Sequence, residues 1–234
     1  MATREEDVVS EVFVANTHTE LLFFSTVGKV YKTKVYKLPA ASPQAKGKAM
    51  INLLPLTEGE MIAAVMPWPE GGVSISDRVE GMGLFFATAK GNVRRNALSD
   101  FANIRPSGVI AIDTREGDRL IGVRPVAADQ DILLAARGGK CVRFPVNSMR
   151  VARRGRSFGV RGMRLAEGDE VISISVLEHV KAETEQRDEY LKSVAARRRL
   201  AGSDYTGRAE DRARDEELAA KLDAPAMAAM SEKE

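Results

Sequence analysis

The sequence is poor in the residues that build most chemical sites. It has one cysteine, Cys141, which excludes a disulfide framework and any multi-thiolate metal site. Its two histidines, His18 and His179, stand far apart, with no cysteine or carboxylate spacing around either that would hold a metal. No apolar run approaches the roughly 20 residues that a bilayer span needs. No apolar signal-peptide core follows Met1, so a cytoplasmic address is expected. Walker, GxSxG and HExxH patterns are all missing. Charge of one sign is not in excess either: 35 Lys and Arg face 33 Asp and Glu, for a formal +2 over 234 residues. The 44% hydrophobic content suffices for one or two cores and excludes wholesale disorder.

What is present is charge segregated by position. Residues 21–48 carry six lysines and no acid, and Arg137–Arg164 carries nine Lys or Arg and again no acid. Residues 165–234 reverse the balance, with 17 acids against 11 bases. Acid-free basic blocks are the footprint of a polyanion ligand, because each neutralised phosphate releases condensed counterions. Charge alone leaves open a solvated surface whose charges cancel in three dimensions.

The blocks lie on repeats. LLFFSTVGKVYK (Leu21–Lys32), LFFATAKGNVRR (Leu84–Arg95) and ILLAARGGKCVR (Ile132–Arg143) align on Gly28, Gly91 and Gly139. Each places bulky apolar residues before the glycine, a small or β-branched residue two after it, and a basic residue four after it. This is a β-hairpin signal, with glycine supplying positive φ at the turn. Val30, Val93 and Cys141, at the second position, are expected in the core; Lys32, Arg95 and Arg143, at the fourth, are expected at the strand end. Each hairpin is followed by Gly47, Gly108 or Gly159 leading into an apolar strand. An acidic turn comes next (Glu58, Glu116, Glu167), then a closing strand. Thr3–Val9 reads as a further copy of this second half. A period in the fifties with roughly four strands per unit predicts propeller-like all-β blades. Three complete units do not close a ring, so the chain reads as an incomplete ring and a piece of a longer polypeptide.

The last 57 residues, 178–234, lack this pattern and read as a charged, helical insert or tail, separate from the repeat domain, 1–177. Leu177–Leu200 reads as a mostly solvated helix with a thin stripe of Val180, Tyr190, Leu191 and Val194, supported slightly by a Glu183–Arg187 pair. A second helix is expected from about Glu210 to Leu222, with a frayed end beyond Pro225.

The stretches MATREEDVV, LLFFSTVGKVYKTKVYKLP, QAKGKAMINLLPLTEGE, LFFATAKGNVRRNALSDF and VARRGRSFGVRGMRLAEGDEVIS strongly resemble the C-terminal DNA-wrapping domain of DNA gyrase A. The resemblance implies a β-pinwheel, a propeller variant whose hairpins pass between neighbouring blades, with duplex DNA bent around its basic rim in support of negative supercoiling. It implies a bacterial, cytoplasmic, nucleoid-associated protein. Its partners would be double-stranded DNA, the N-terminal region of gyrase A, and gyrase B. ATP and Mg would belong to other parts of that complex, with no cofactor in this chain. The family's glutamine-arginine-glycine box is not found here, and Arg153–Gly159, though similar in chemistry, falls in a later blade. None of Tyr31, Tyr36, Tyr190 or Tyr205 sits in a motif matching the family's catalytic tyrosine, so the isolated chain is expected to be non-catalytic.

The cations expected to meet DNA fall in two sets. The hairpin set is Lys29, Lys32, Lys34, Arg94, Arg95, Lys140 and Arg143; the loop set is Lys46, Lys48, Arg150, Arg153, Arg154, Arg156, Arg161 and Arg164. A basic group repeated blade by blade lays a charge track suited to a bent duplex held through its phosphates. The alternatives are a propeller-type module that binds an acidic protein and the C-terminal domain of topoisomerase IV. Cys141 reads as a core residue, Trp68 as a packing plug between units, and the acidic turns as turn chemistry.

Overall fold

The computed structural model describes residues 12–42, 45, 47–68, 81–153, 155–180, 184–202 and 209–223. The chain divides into two compact units, Met1–Leu177 and Glu178–Glu234. The repeat copy at Thr3–Val9, the partner Glu183 and the end beyond Pro225 lie outside the described residues.

The first unit is built from hairpins at the three aligned glycines. Strands β1 (Glu20–Ser25) and β2 (Lys29–Lys34) form the first, β4 (Gly83–Thr88) and β5 (Asn92–Ala97) the second, and β8 (Gln130–Ala136) and β9 (Cys141–Pro145) the third. Gly28, Gly91 and Gly139 take φ of 78°, 79° and 82°, the left-handed conformation that closes each turn. In each, the glycine N–H donates to the carbonyl three residues earlier, of Ser25, Thr88 and Ala136. The strands after the acidic turns, β3 (Ile62–Pro67), β7 (Leu120–Val126) and β12 (Val171–Glu178), pair with β1, β4 and β8.

In the first two sheets an outer strand comes from the next repeat. The apolar segment after Gly108, β6 (Val109–Ile110), pairs antiparallel with β2, and that after Gly159, β11 (Val160–Arg161), pairs antiparallel with β5. β10 (Val151–Ala152) runs parallel to the far end of β5. The sheets therefore read β3-β1-β2-β6, then β10-β5-β4-β7 with β11 also on β5, then β12-β8-β9. Among the described residues, no strand lies beyond β9.

β4 of the middle hairpin is apolar on both faces because a sheet stacks on each side of it. Leu22, Phe24 and Val30 of the first sheet meet Leu84, Phe86, Leu120 and Val123 of the second in one buried layer. Phe85, Ala87, Val93 and Val126 of the second meet Ile132, Leu134, Val171 and Ile174 of the third in another. Phe24 packs edge-on to Phe86 at 5.7 Å, a geometry worth about 0.5–1.5 kcal/mol beyond burial. Trp68 is buried in the first layer. Leu21, Phe23 and Tyr31 on the outer face of the first sheet are covered by Met50, Leu53, Leu54 and Leu56.

One core expectation is overturned. Val30 and Val93 are buried, but Cys141 at the same repeat position is exposed. The cover over Val30 and Val93 is the strand delivered by the following repeat, and β9 receives none among the described residues.

The second unit is a helical pair, α1 (Thr184–Ala201) and α2 (Ala209–Ala220), ending in a short 3-10 turn at Lys221–Asp223. β12 runs on to Glu178, so helix cannot begin at Leu177 as expected. Tyr190 and Leu222 are buried with Val180 and Val194 around them, whereas Leu191, expected in the stripe, is exposed. Arg199 grips Asp215 through two hydrogen bonds of 2.9 and 2.6 Å.

Candidate nucleic-acid interface

Two of the column of three cations four residues past the turns, Lys32 and Arg95, are turned inward. Eight residues before the same glycines stand Glu20, Gly83 and Asp131, diagonally across each hairpin. Lys32 Nζ lies 2.8 Å from Glu20 Oε2, and Arg143 reaches Asp131 Oδ2 at 2.7 Å. In the middle unit the acid is replaced by glycine, and Arg95 folds into the space: a Cβ on Gly83 would lie 3.2 Å from Arg95 Nε. Lys32 also donates to the Ala102 carbonyl at 2.5 Å, and Arg95 to the Val146 carbonyl at 3.3 Å. Both acceptors flank or begin the 3-10 turn that follows the next unit's hairpin. In the first two units this cation ties one blade to the next. With Arg95 buried and the Lys32 side chain only 14% exposed, the column does not form the surface track expected of it; Arg143 keeps 46% side-chain exposure beside its acid.

Arg94 is also removed from the surface, and for a different purpose. It is 2% exposed, and its guanidinium donates to the carbonyls of Arg153 at 2.6 Å, Gly155 at 2.8 Å and Ser157 at 3.2 Å. Burial lowers the pKa of this guanidinium, with the Asp100 charge opposing that shift. Burial lowers that of Arg95 too. Neither arginine can meet a ligand outside; Arg94 instead fixes the backbone of the loop between β10 and β11.

That loop carries the exposed cations. Asn96 Nδ2 holds the Ala152 carbonyl at 2.9 Å, and the Asp113 N–H holds that of Ser157 at 3.0 Å. Gly159 takes φ of 75° against β5, where a Cβ would lie 2.2 Å from the Val93 carbonyl oxygen. On this pinned loop Arg153 and Arg156 are exposed, as are Arg150 just before β10, Arg161 in β11 and Arg164 just past it. Arg161 and Arg164 line a shallow groove with Asn92, Gly162 and Arg115. The Arg115 guanidinium sits 4.7 Å from the centroid of the half-exposed Phe158 ring. Arg115 is absent from both expected sets, because it stands in an acidic turn beside Glu116 and outside the basic blocks. Of the other expected residues, Lys48 and Lys140 are exposed, Lys34 is half-buried, and half-buried Lys29 lies 4.0 Å from Glu60. Lys46 and Arg154 fall outside the described residues.

The acidic turns clamp the hairpins. Asp118 accepts the Lys90 N–H at 2.9 Å and Asp169 accepts the Gly138 N–H at 2.9 Å, each just before a turn glycine. In the first unit the longer Glu60 accepts the Tyr31 hydroxyl at 2.8 Å and the Thr57 N–H and hydroxyl at 2.9 and 2.8 Å. Burial alone would raise the Glu60 pKa, but hydrogen bonds from Thr57, Ser25 and Tyr31 hold its carboxyl below the usual carboxylate range. Burial and this carboxylate push the Tyr31 phenol well above its ordinary value.

The three blades coincide with three matches, at residues 19–69, 84–127 and 130–178, to the family described as DNA gyrase C-terminal domain, beta-propeller. The chain belongs to this family. It is 50% identical over 86% of its length to the DNA gyrase A of Rickettsia bellii, and 46% identical over its whole length to that of Rickettsia conorii. It covers 22% and 25% of those two proteins, so it spans about a quarter of the length of the relatives it matches. Against the DNA gyrase A of Escherichia coli, identity is 42% over 74% of the chain, which covers 19% of that protein. Among solved structures, the C-terminal domain of DNA topoisomerase IV aligns over 76% of this chain and 53% of that one, with a TM-score of 0.65 at 22% identity. The DNA gyrase A C-terminal domain aligns over 70% of this chain and 49% of that one, with a TM-score of 0.53 at 25% identity. Pinwheel blades with a helical appendage are the fold of this chain.

Proposed function

We propose that the chain is a non-catalytic DNA-binding and bending module of a bacterial type IIA topoisomerase, the gyrase, and supports negative supercoiling by wrapping duplex DNA. The observation that carries this reading is the pinned loop presenting Arg153 and Arg156, flanked by exposed Arg150, Arg161 and Arg164, the last two sharing a groove with Arg115. Guanidiniums on a fixed backbone meet phosphates without a large ordering cost, and read no base sequence. Smoothly bending a 20–30 bp site costs about 1–6 kcal/mol, so several such contacts must act together. The working partners would be double-stranded DNA, the N-terminal region of gyrase A, and gyrase B. ATP and Mg would be held elsewhere in that complex, and the place of action would be the cytoplasm, at the nucleoid.

The test is affinity for an end-labelled duplex at two salt concentrations, with the end-to-end distance read by energy transfer. Binding should weaken steeply with salt and shorten the duplex. Absence of binding at low salt, or indifference to added salt, would sink the reading and leave the acidic-protein alternative.

A further inference from the structure

We infer that Phe158 is a positioning residue for DNA binding: its ring holds the Arg115 guanidinium at the groove of Arg161 and Arg164. Three arginines from two successive repeats then grip one stretch of phosphate backbone together. The inference rests on the DNA-binding reading above and adds to it a ring that acts through its neighbour.

Both partners stand on fixed backbone. The Ser157 carbonyl accepts from Arg94 at 3.2 Å and from the Asp113 N–H at 3.0 Å, and the Gly159 N–H donates to the Ser157 hydroxyl at 3.2 Å. Phe158 therefore lies between two anchored residues. Two residues past Asp113, Arg115 opens the acidic turn, its carbonyl accepting the Asp118 N–H at 2.9 Å. The Asp113–Ser157 hydrogen bond thus links the two segments, and the Arg115 guanidinium carbon comes to 4.7 Å from the Phe158 ring centroid.

This contact leaves the cation able to meet a ligand. A guanidinium set over a ring engages its flat face there and keeps its N–H donors at its edge, where they can meet a phosphate in pairs. Asp118, in the same turn, is directed elsewhere: it accepts the Lys90 and Arg119 N–H groups at 2.9 Å each and Asn92 Nδ2 at 3.3 Å. Among the described residues Arg115, Arg161 and Arg164 enter no ion pair, whereas Arg119 and Arg137 are both held by Glu170.

The ring and the cations also come and go together. The acidic turns align on Glu58 and Glu116, and the glycines leading into β6 and β11 are Gly108 and Gly159. On that alignment the first junction has Thr57, Ser107, Ile110 and Asp113 where the second has Arg115, Phe158, Arg161 and Arg164. The two junctions share their strand register and the same pair of N–H groups converging on the turn-glycine carbonyl. The first therefore assembles in the same way with no ring at this position, so packing between blades does not call for Phe158.

Duplex titrations on the intact chain at low and raised salt test this, with a melting curve on each variant to show that it folds. Phe158→Leu keeps an apolar side chain without a π face and should weaken affinity about two- to fivefold, the strength of an exposed cation–π contact. Phe158→Trp, with the better π face, should bind at least as tightly as the parent. Arg115→Met should lower the slope of log affinity against log salt by about 1, and adding Phe158→Leu to it should weaken binding no further. Parent-like affinity in Phe158→Leu overturns the inference alone, as does a Phe158→Trp no better than Phe158→Leu. An equal loss from Phe158→Leu in the Arg115→Met background overturns it too, because the ring would then touch DNA by itself. Failure of the parent chain to bind at low salt overturns the DNA reading and this inference with it.

Discussion

The Tyr31 hydroxyl donates to the Glu60 carboxylate at 2.8 Å, joining the first hairpin to the acidic turn that follows it. The Glu60 carboxyl is held below its ordinary range, so the folded state binds its proton less readily than the unfolded chain does. Its contribution is full above the unfolded value of about 4.3 and is lost as pH falls through the folded value. Melting temperature followed from neutral pH into acid should therefore fall less steeply in Glu60→Gln than in the parent chain. At neutral pH the variant should be less stable by about 1–3 kcal/mol, the cost of weakening a buried hydrogen-bonded site.

Tyr31 responds at the other end of the pH scale. Its phenol is raised above 10.0, first by burial and then by Glu60. The folded state keeps that proton longer than the unfolded chain, so stability is full below about pH 10 and declines as pH rises. Tyr31→Phe should remove this part of the alkaline decline in the melting temperature, while giving up the hydrogen bond to Glu60 at neutral pH.

Arg94 and Arg153 should behave oppositely although both belong to one basic loop system. Arg94→Met removes the guanidinium from the Arg153 and Gly155 carbonyls and one of two donors from the Ser157 carbonyl, and should destabilise the chain by about 1.5–3 kcal/mol. Amide exchange around Gly155 and Ser157 should accelerate in the same variant. Arg153 is exposed, and Arg153→Ala should shift stability by less than about 0.5 kcal/mol while weakening duplex affinity. Urea unfolding and a binding titration on both variants separate the two roles.

The salt dependence of DNA binding should likewise sort the cations of the two sets. Removing a group that neutralises one phosphate lowers the slope of log affinity against log salt by about 1. Lys140→Met and Arg161→Met should show that reduction, because both side chains stand in the open. Arg95→Met should leave the slope unchanged and cost folding stability, since its guanidinium is buried against the Val146 carbonyl.

Asp215 is buried and carries a two-pronged hydrogen bond from Arg199 across the helical pair. Asp215→Ala should lower the stability of this unit by about 1.5–3 kcal/mol, read as an earlier loss of the helical signal at 222 nm.

The hairpins are legible in the sequence because their signal is local: three apolar residues, a turn and a glycine that needs positive φ recur in register at Gly28, Gly91 and Gly139. The inward turn of Lys32 and Arg95 is not, because a lysine or arginine at a strand end has no local mark saying whether an acid or a carbonyl waits beside it. Glu20 and Asp131 precede their partners by 12 residues, but the Ala102 and Val146 carbonyls come from the next repeat. Arg94 and Arg95 occupy alternate faces of β5, and both faces are covered, which alternation within one strand cannot reveal. The exposure of Cys141 is hidden for the same reason in reverse. Two-residue strands such as Val109–Ile110 have no periodicity to detect, yet they decide which side of each blade is closed.

Borrowing the outer strand from the following repeat also imposes a schedule on synthesis. Val30 waits for Val109, 79 positions later (109 − 30), before its sheet is complete. At about 5–20 residues per second, the edge of a newly made blade stays bare for roughly 4–16 seconds as the ribosome moves on. The first two blades are thus finished by their successors, and a stall in translation between two repeats leaves an open strand edge waiting for its cover.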